Sequence, residues 1–373
     1  MNFILTGVTG VLGSHIFYEL LQKIHDNNYN GEIVLLLRSK NDKTHTERFE
    51  EVFTEKLLPG YLKQIDIERL RSNHVKLIDM DLQNINDADL EILSTNKRYQ
   101  LIHCAASVNL GNNASAYEEI RNINYLGTQN LIQALRPYIH QVSYISTAFA
   151  YRPMEYNEQY PVMSEVAYRN YYEQFKAQME KELFELCEGY GLKCQVLRPS
   201  IICGRLVDHP HHVIGRFLVF YLFGAFFYRI KHSNYNGMQL RITINSASGL
   251  NIVAVDYAAK AIVRAIDTDI KELNIVSSKY VPNTFTIPVL LKEIGWDTFE
   301  FTDAIPENMN AAEKMYYRTV GPQLNDYLLA PDYDFDVDIL SELMKDIQEP
   351  DIYTHFEGLC RYAVEQQFNN ILV

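Results

Sequence analysis

Apolar residues along the first half of the chain follow two alternating spacings. Short runs that are apolar at nearly every position are separated by longer stretches, such as Val11–His25, in which apolar residues recur every three or four positions. The runs predict strands buried on both faces, and the longer stretches predict helices. The predicted strands are Asn2–Thr6, Glu32–Leu37, Val75–Ile78, Gln100–Cys104, Val142–Ile145 and Leu192–Leu197. This alternation predicts an α/β fold of the Rossmann type with a doubly wound parallel sheet.

The regular alternation ends after Gly204. Asp256–Ile266 then has the spacing of a helix that returns to the sheet, Leu273–Val276 has the pattern of one more strand, and residues 280–373 are mostly helical in pattern. We therefore predict a cofactor-binding domain and a smaller, mostly helical substrate-side region that is discontinuous in sequence. The predicted division is 1–204 plus 251–279 for the domain and 205–250 plus 280–373 for the region.

The amino-acid composition limits the kinds of molecule that this protein can bind. The 373 residues carry a formal net charge of −13, and a surface this acidic repels phosphate backbones, so nucleic acid is not expected as a partner. An acidic carrier protein would also be repelled unless a local basic patch overrides the average. The five cysteines have no paired spacing and are interpreted as reduced thiols of a cytoplasmic protein.

Neither a metal site nor a membrane segment is expected. His209-Pro-His-His212 is accompanied by no carboxylate or cysteine pattern, and a loop is the better interpretation. The longest apolar stretch, Val213–Ile230, is interrupted by Arg216 and falls short of the ~20 residues that a spanning helix needs. No signal peptide is expected, because the first apolar run leads directly into a glycine-rich turn. The sequence assigns no oligomeric state.

The first predicted strand ends in Thr6-Gly-Val-Thr-Gly-Val-Leu-Gly13, a TGxxGxxG pattern between a strand and a helix. In such a turn the glycines permit a tight bend, close approach of the backbone to a diphosphate, and packing of helix on strand. The free N–H groups at the start of the following helix then meet the phosphates. The predicted cofactor contacts here are Gly7, Thr9, Gly10, Val11, Leu12 and Gly13.

The second predicted strand ends beside a cation rather than an acid. An acidic residue at this position binds the ribose 2′-hydroxyl of NAD, whereas Arg38 favours the 2′-phosphate of NADP(H). Arg48 is either a second clamp on that phosphate or a solvated residue, and Asp81 is placed to accept from the adenine amino group. The further predicted cofactor contacts are Leu82, Ala105, Ala106, Ser107, Pro199 and Ile202.

A catalytic group is predicted where the fifth strand ends and the next helix begins. Tyr172 and Lys176 are four residues apart and share one helix face. A lysine ammonium beside a tyrosine is expected to lower the tyrosine pKa, and Thr147 at the strand end supplies a hydroxyl to the same substrate oxygen. The arrangement predicts hydride chemistry at a C–O centre coupled to proton transfer, and Tyr172 and Lys176 are also predicted to contact the cofactor.

Taken together, these motifs resemble the extended short-chain dehydrogenase/reductase family. The resemblance covers residues 1 to roughly 280 and includes His103-Cys-Ala-Ala, Asn124-Tyr-Leu-Gly-Thr128 and Arg198-Pro-Ser. Leu36-Leu-Arg38, His103–Asn109 and Ile145-Ser-Thr-Ala148 are most similar to its branch of thioester reductases and fatty acyl-CoA reductases. The resemblance implies that Thr147 is the catalytic hydroxyl residue, that Tyr172 is the acid/base and that Lys176 is its partner.

Three functions remain open at this level. The first is NADPH-dependent reduction of an acyl thioester, carried by coenzyme A or a carrier protein, to an aldehyde or on to an alcohol. The second is a sugar-nucleotide epimerase, dehydratase or reductase, and the third is a non-catalytic NADP-binding sensor. The aromatic stretch Val213–Ile230 is equally open: a core helix, an apolar wall over an acyl chain, or an amphipathic membrane contact.

Overall fold

The computed structural model describes residues 1–27, 30–150, 168–231, 233, 235 and 237–372. In chain order, the strands of the described residues are β1 (Phe3–Thr6), β2 (Ile33–Leu37), β3 (Val75–Asp79), β4 (Tyr99–His103), β5 (Ile139–Ile145), β6 (Lys193–Pro199), β7 (Ile201–Cys203), β8 (Leu240–Thr243), β9 (Gly249–Leu250), β10 (Ile252–Ala254), β11 (Glu272–Ile275), β12 (Val281–Pro282) and β13 (Phe299–Thr302). Seven of them form one parallel sheet in the order β11-β6-β5-β4-β1-β2-β3. The predicted fold class, a Rossmann-type doubly wound parallel sheet, is thereby confirmed.

Helices cover both faces of this sheet, and further helices form the C-terminal part of the chain. They are α1 (Val11–Asn27), α2 (His45–Glu50), α3 (Ile67–His74), α4 (Ala114–Ile120), α5 (Gly127–Leu135), α6 (Tyr171–Tyr190), α7 (Phe220–Ile230), α8 (Val255–Ala265), α9 (Asn283–Ile294), α10 (Ala311–Thr319), α11 (Gly321–Leu328), α12 (Asp338–Leu343) and α13 (Ile352–Glu365). None of the described helices is both long and apolar enough to span a membrane.

Successive residues of the buried strands pack into two separate cores. On β1, Phe3 and Leu5 belong to the core that contains α1 and α8, whereas Ile4 belongs to the core that contains α5 and α6. Strand side chains alternate between the two faces of a sheet, so a strand covered on both sides is apolar at most positions. This explains why β1 and β2 have no polar alternation in the sequence.

The aromatic stretch Val213–Ile230 is helical only from Phe220 onward. Before that point the backbone is irregular, and Val219 has a φ of 51°, a conformation that β-branched residues rarely adopt. The carbonyl of Gly215 accepts hydrogen bonds from the N–H groups of Ile371 and Leu372 instead of serving a helix. The stretch is therefore a core helix in its second part only, because its first part is bound to the C-terminal residues.

The C-terminal region packs around this aromatic helix. Helix α7 contacts α9 and α13, while β8 pairs with β13 and β9 pairs with β12 in small separate sheets. Phe227 on α7 is completely buried against Trp296 and Tyr316. The predicted division into 1–204 plus 251–279 and 205–250 plus 280–373 stays a prediction. Helices α7, α9, α10, α11 and α13 lie together, whereas α12 packs against α8 and β11.

Candidate functional site

The glycine-rich turn after β1 is so tight that it leaves no space for side chains at Gly7 and Gly13. Gly7 has a φ of +78°, and the N–H of Gly10 donates to the Gly7 carbonyl at 2.8 Å. A Cβ on Gly13 would lie 2.0 Å from the same carbonyl oxygen, and a Cβ on Gly7 would lie 2.7 Å from the backbone nitrogen of Ala105. The turn therefore needs glycine at these positions, and it directs the start of α1 towards an open cavity.

A buried relay of hydrogen bonds joins the ends of β1 and β4. The Thr6 hydroxyl oxygen accepts from the N–H groups of Cys104 and Ala105 and lies 2.8 Å from Nδ1 of His103. With its oxygen occupied as an acceptor, the hydroxyl donates its proton to Nδ1. His103 then carries its own proton on Nε2, which donates to the Thr128 hydroxyl at 2.9 Å. Burial lowers the pKa of His103 to about 3, consistent with this neutral ring.

Asn124, in the helical segment between α4 and α5, holds the loop that follows β4. Its side chain accepts from the N–H of Ser107 at 2.8 Å and donates to the carbonyl of Ser107 at 2.9 Å. Glu119 accepts from the side chains of Ser107 and Asn109 on the same loop. The motif residues Asn124 and Thr128 thus act by fixing the backbone beside the cavity.

The predicted catalytic residues line one cavity of about 1130 Å³ together with the glycine turn. Lys176 is buried, its Nζ donates to the carbonyl of Ile145 at 2.6 Å, and it lies 4.5 Å from the centre of the Tyr144 ring. The Thr147 hydroxyl oxygen accepts from the N–H of Phe149 at 3.4 Å, which leaves its proton available to a substrate. Tyr172, one turn before Lys176 on α6, opens onto the same space.

The pKa of Tyr172 shifts opposite to the sequence-based expectation. Burial, followed by the neighbouring Cys104 and Glu173, raises the Tyr172 pKa above its ordinary value. The charge of Lys176 does not reverse this, because the ammonium is directed at a backbone carbonyl and burial lowers its own pKa to about 8. Tyr172 is therefore protonated at neutral pH, which is the state that a proton donor requires.

The predicted cofactor residues fall into two groups. Those that line the cavity are Gly7, Gly10, Val11, Leu12, Gly13, Ala106, Pro199 and Ile202, in addition to Tyr172 and Lys176. Those outside its lining are Thr9, Arg38, Arg48, Asp81, Leu82, Ala105 and Ser107.

The outer group is centred on two arginines. Arg38 forms an ion pair with Asp81 at 2.9 Å, and Arg48 donates to the Arg38 carbonyl and to the Thr9 hydroxyl. Asp81 thus binds Arg38 in this structure, and its predicted contact with adenine stays a prediction. Arg48 is mostly buried and connects the glycine turn to the end of β2, so it is not a solvated residue.

Several cavity residues are not predicted as site residues from the sequence, although Ser146 and Ser200 lie within motifs quoted above. Ser146, Ser200, Arg216, Val219 and Tyr327 line the cavity but lie outside the predicted set. The hydroxyls of Ser146 and Ser200 and Nε of Arg216 are buried without hydrogen-bond partners within the described residues. A bound dinucleotide would supply such partners, and the side-chain-free glycine turn leaves room for its diphosphate, so the cavity fits this cofactor.

A second, smaller cavity shares part of its lining with the first. Val219 and Tyr327 belong to both linings, and the remaining wall is almost entirely apolar. The Tyr327 hydroxyl donates to Glu173 at 2.9 Å and accepts from Asn170 at 3.0 Å, and Arg169 lies 3.9 Å from its ring centre. Tyr327, whose side chain lines both cavities, is thus held by residues at the start of the catalytic helix α6.

The fold and site define an extended short-chain dehydrogenase/reductase with an NAD(P)-binding domain, an oxidoreductase class. Residues 5–262 match the model of the male sterility protein family, and the chain belongs to that family. No curated protein matches the chain significantly.

Solved structures of low sequence identity share this fold. The terminal R domain from the myxalamid PKS-NRPS biosynthetic pathway is 18% identical, with 99% of this chain and 91% of that chain covered and a TM-score of 0.67. A thiolation-reductase di-domain from an archaeal non-ribosomal peptide synthetase is 19% identical, with coverage of 99% and 76% and a TM-score of 0.64. UDP-glucuronic acid 4-epimerase from Bacillus cereus is 16% identical, with coverage of 98% and 100% and a TM-score of 0.61.

The neutral, buried His103 predicts acid sensitivity. Its pKa is about 3 in the folded protein against 6.5 ordinarily, so its contribution to stability is complete above pH 6.5 and is lost as the pH falls towards 3. His103→Asn should therefore reduce the slope of unfolding free energy against pH by about 1.4 kcal/mol per pH unit in this window. Urea unfolding between pH 7 and pH 5 measures the slope. His25→Asn, at an exposed position, should leave it unchanged, and an unaltered slope in His103→Asn would contradict the assignment.

Proposed function

We propose that this protein is an NADPH-dependent reductase of acyl thioesters that yields an aldehyde. The observation that carries the proposal is the apolar cavity that shares Val219 and Tyr327 with the cavity lined by Thr147 and Tyr172. Burial of hydrocarbon is favourable by roughly 0.8 kcal/mol per CH₂, so an acyl chain gains from this space while a sugar does not. The similarity to reductase domains of peptide and polyketide synthetases supports the same reaction class.

The catalytic residues act on the carbonyl oxygen of the thioester. The cofactor supplies the hydride when bound. Thr147 and Tyr172 donate hydrogen bonds to the oxygen on which negative charge develops, and Tyr172 then transfers its proton to that oxygen. The resulting hemithioacetal breaks its C–S bond, which releases the thiol and the aldehyde. Lys176 provides the neighbouring positive charge, and we propose that it also binds the nicotinamide ribose.

The proposed cofactor contacts are those predicted from the sequence. The glycine turn and the start of α1 receive the diphosphate, and Arg38 and Arg48 receive the 2′-phosphate. The thioester is carried by coenzyme A or by a carrier protein in trans, and we place the reaction in the cytoplasm. A second reduction, to the alcohol, is compatible with the same residues.

A sugar-nucleotide epimerase is the second candidate, favoured by the shared fold of UDP-glucuronic acid 4-epimerase. Two features argue against it. Arg38 stands where an NAD-retaining enzyme needs an acid, and the cavity next to Tyr172 is walled by Phe220, Phe223 and other apolar residues. A non-catalytic sensor is disfavoured because it would not need Thr147, Tyr172 and Lys176 around one cavity.

Arg38→Ala is expected to weaken NADPH binding selectively. A charge-assisted bond to phosphate contributes roughly 1.5–3 kcal/mol, and 1.4 kcal/mol corresponds to a factor of ten, so the NADPH dissociation constant should rise at least about tenfold. NADH lacks the 2′-phosphate and serves as the internal control, since its affinity should barely change. Calorimetric titration measures both. Equal affinity of the unmutated protein for the two cofactors would refute the selectivity.

Tyr172→Phe keeps the ring and removes only the hydroxyl. Turnover should fall by about 10² to 10⁴ while NADPH affinity stays near normal, because the lost group is the proton donor. Tyr171→Phe is the matched control, since that ring contacts Tyr117 and lies outside the cavity lining. Full activity in Tyr172→Phe would move the assignment to Tyr168 or Tyr171. Lys176→Ala should impair both turnover and cofactor binding.

The acyl-chain site predicts a dependence on chain length. NADPH oxidation measured with a series of saturated acyl-CoAs should show binding that tightens roughly fourfold per added CH₂ until the cavity is full. Phe220→Ala should flatten this dependence, because Phe220 lines the apolar cavity.

Phe227→Ala is the matched control on the same helix. Phe227 is packed in the core against Trp296 and Tyr316, so its loss should cost about 3–5 kcal/mol of stability and leave the chain-length trend intact. Melting temperature and the acyl-CoA series are measured on both variants. Turnover of a UDP-sugar with no turnover of any acyl-CoA would favour the epimerase instead.

A further inference from the structure

The segment Val213–Val219 forms one wall of the cofactor cavity. Ile214, Arg216 and Leu218, every second residue, line the cavity, whereas Val213 and Phe217 belong to the hydrophobic core. Arg216 is therefore the charged residue of this wall, presented between two apolar neighbours.

Arg216 has no charge partner among the residues that the structure describes. Within the described residues its side chain forms no ion pair or hydrogen bond, and its Nε is buried without a partner. Burial and the surrounding cations, Arg216 among them, lower the pKa values of Lys40 and Arg48, which places these groups within electrostatic range of one another. In a protein of net charge −13, Arg216 lines the cavity with Lys40 and Arg48 within electrostatic range, and this local positive charge favours an anion there.

The backbone on both sides of Arg216 is fixed by the C-terminal residues. The Gly215 carbonyl accepts from the N–H groups of Ile371 and Leu372 at 2.9 and 3.0 Å, and the N–H of Phe217 donates to the Asn370 side chain at 2.9 Å. A Cβ on Gly215 would lie 2.5 Å from the Leu372 side chain, which would have to move to admit a larger residue. The backbone at Arg216 is thus fixed before any ligand arrives, which lowers the entropic cost of binding.

We propose that Arg216 binds the diphosphate of the dinucleotide cofactor, and that residues 370–372 position it. Arg216 lines the same cavity as Gly10, Val11 and Leu12, where the start of α1 offers its N–H groups to phosphate. Arg38, the residue assigned to the 2′-phosphate, lies outside that lining and already has Asp81 as its partner. The diphosphate is common to NADH and NADPH, so Arg216 contributes to affinity for both and to selectivity for neither.

Cofactor binding to the intact protein tests this proposal without any thioester substrate. Arg216→Met keeps an unbranched side chain of similar bulk near the backbone and removes the guanidinium and its charge. The dissociation constants of NADPH, NADH and ADP-ribose should all rise by a similar factor of about ten or more. Arg216→Lys should retain part of the affinity. Arg229→Met removes an exposed arginine from α7 and should change nothing. Calorimetry gives the constants, and circular dichroism with melting temperature verifies folding.

Asn370→Ala tests the positioning role separately. It removes the side-chain acceptor for the Phe217 N–H and leaves Arg216 in place, so affinity for all three ligands should fall in equal proportion, but less than in Arg216→Met. A loss confined to NADPH in Arg216→Met would show that Arg216 binds the 2′-phosphate, and unchanged affinity for all three ligands would show that it binds none of them. Either result overturns the proposal. Because no thioester is used, failure of the proposed reductase activity leaves this test intact.

Discussion

The contact between the glycine turn and the loop after β4 is the constraint on which the site depends. Gly7 approaches the backbone of Ala105 so closely that any side chain there would collide with it. The Thr6 hydroxyl satisfies the buried polar groups of the loop: it accepts hydrogen bonds from two N–H groups and donates one to His103. Through the Thr128 hydroxyl, the same relay reaches α5. One set of buried hydrogen bonds thereby fixes the first turn of α1 and the loop beside it, the two backbone elements along which an extended cofactor lies.

Burial of the catalytic residues sets their protonation states. The pKa of Lys176 falls from 10.5 to about 8, which corresponds to roughly 3 kcal/mol of preference for the neutral amine relative to water. The pKa of Tyr172 rises, since a phenolate would be equally poorly solvated. Without a ligand, the buried site stabilises a positive charge on Lys176 poorly. When negative charge develops on a bound substrate oxygen, Lys176 acquires a counter-charge in a low-dielectric setting, and the electrostatic stabilisation of the reacting state is correspondingly large. This electrostatic balance suits reduction, in which Tyr172 must begin protonated.

The sequence predicts the parts of this site that depend on local spacing. The glycine turn, Thr147 and the Tyr172–Lys176 pair lie at strand ends and on one helix turn, where the pattern itself fixes the geometry. Arg216 and Tyr327 could not be found in this way. Arg216 reaches the cavity because Gly215 and Phe217 are bound by residues more than 150 positions later, and irregular backbone held by such distant contacts has no periodic signature.

The direction of the Tyr172 pKa shift also could not be predicted from the sequence, because it depends on contacts with distant residues. Spacing on a helix places Lys176 on the face of Tyr172, but it does not show that the ammonium is directed at the Ile145 carbonyl. The motif predicts which residues meet, whereas their ionisation depends on burial by residues from the whole fold. Arg38 is a similar case, since its position after β2 is evident from the pattern but its pairing with Asp81 requires β3 to lie alongside.

The wall of the apolar cavity and the catalytic helix form one hydrogen-bonded unit. Tyr327 lines both cavities and donates to Glu173, the residue next to Tyr172, and Glu173 is fully buried in an ion pair with Arg169. A buried carboxylate that lost the Tyr327 hydroxyl would keep its ion pair with Arg169 but lose one hydrogen bond that no water replaces, which is destabilising, so the position of Tyr327 is tied to that of α6. The residues that bound the space for a substrate chain and the residues that act on its carbonyl therefore cannot shift independently. A region of the sequence without recognisable motifs contributes in this way to the geometry of the catalytic group.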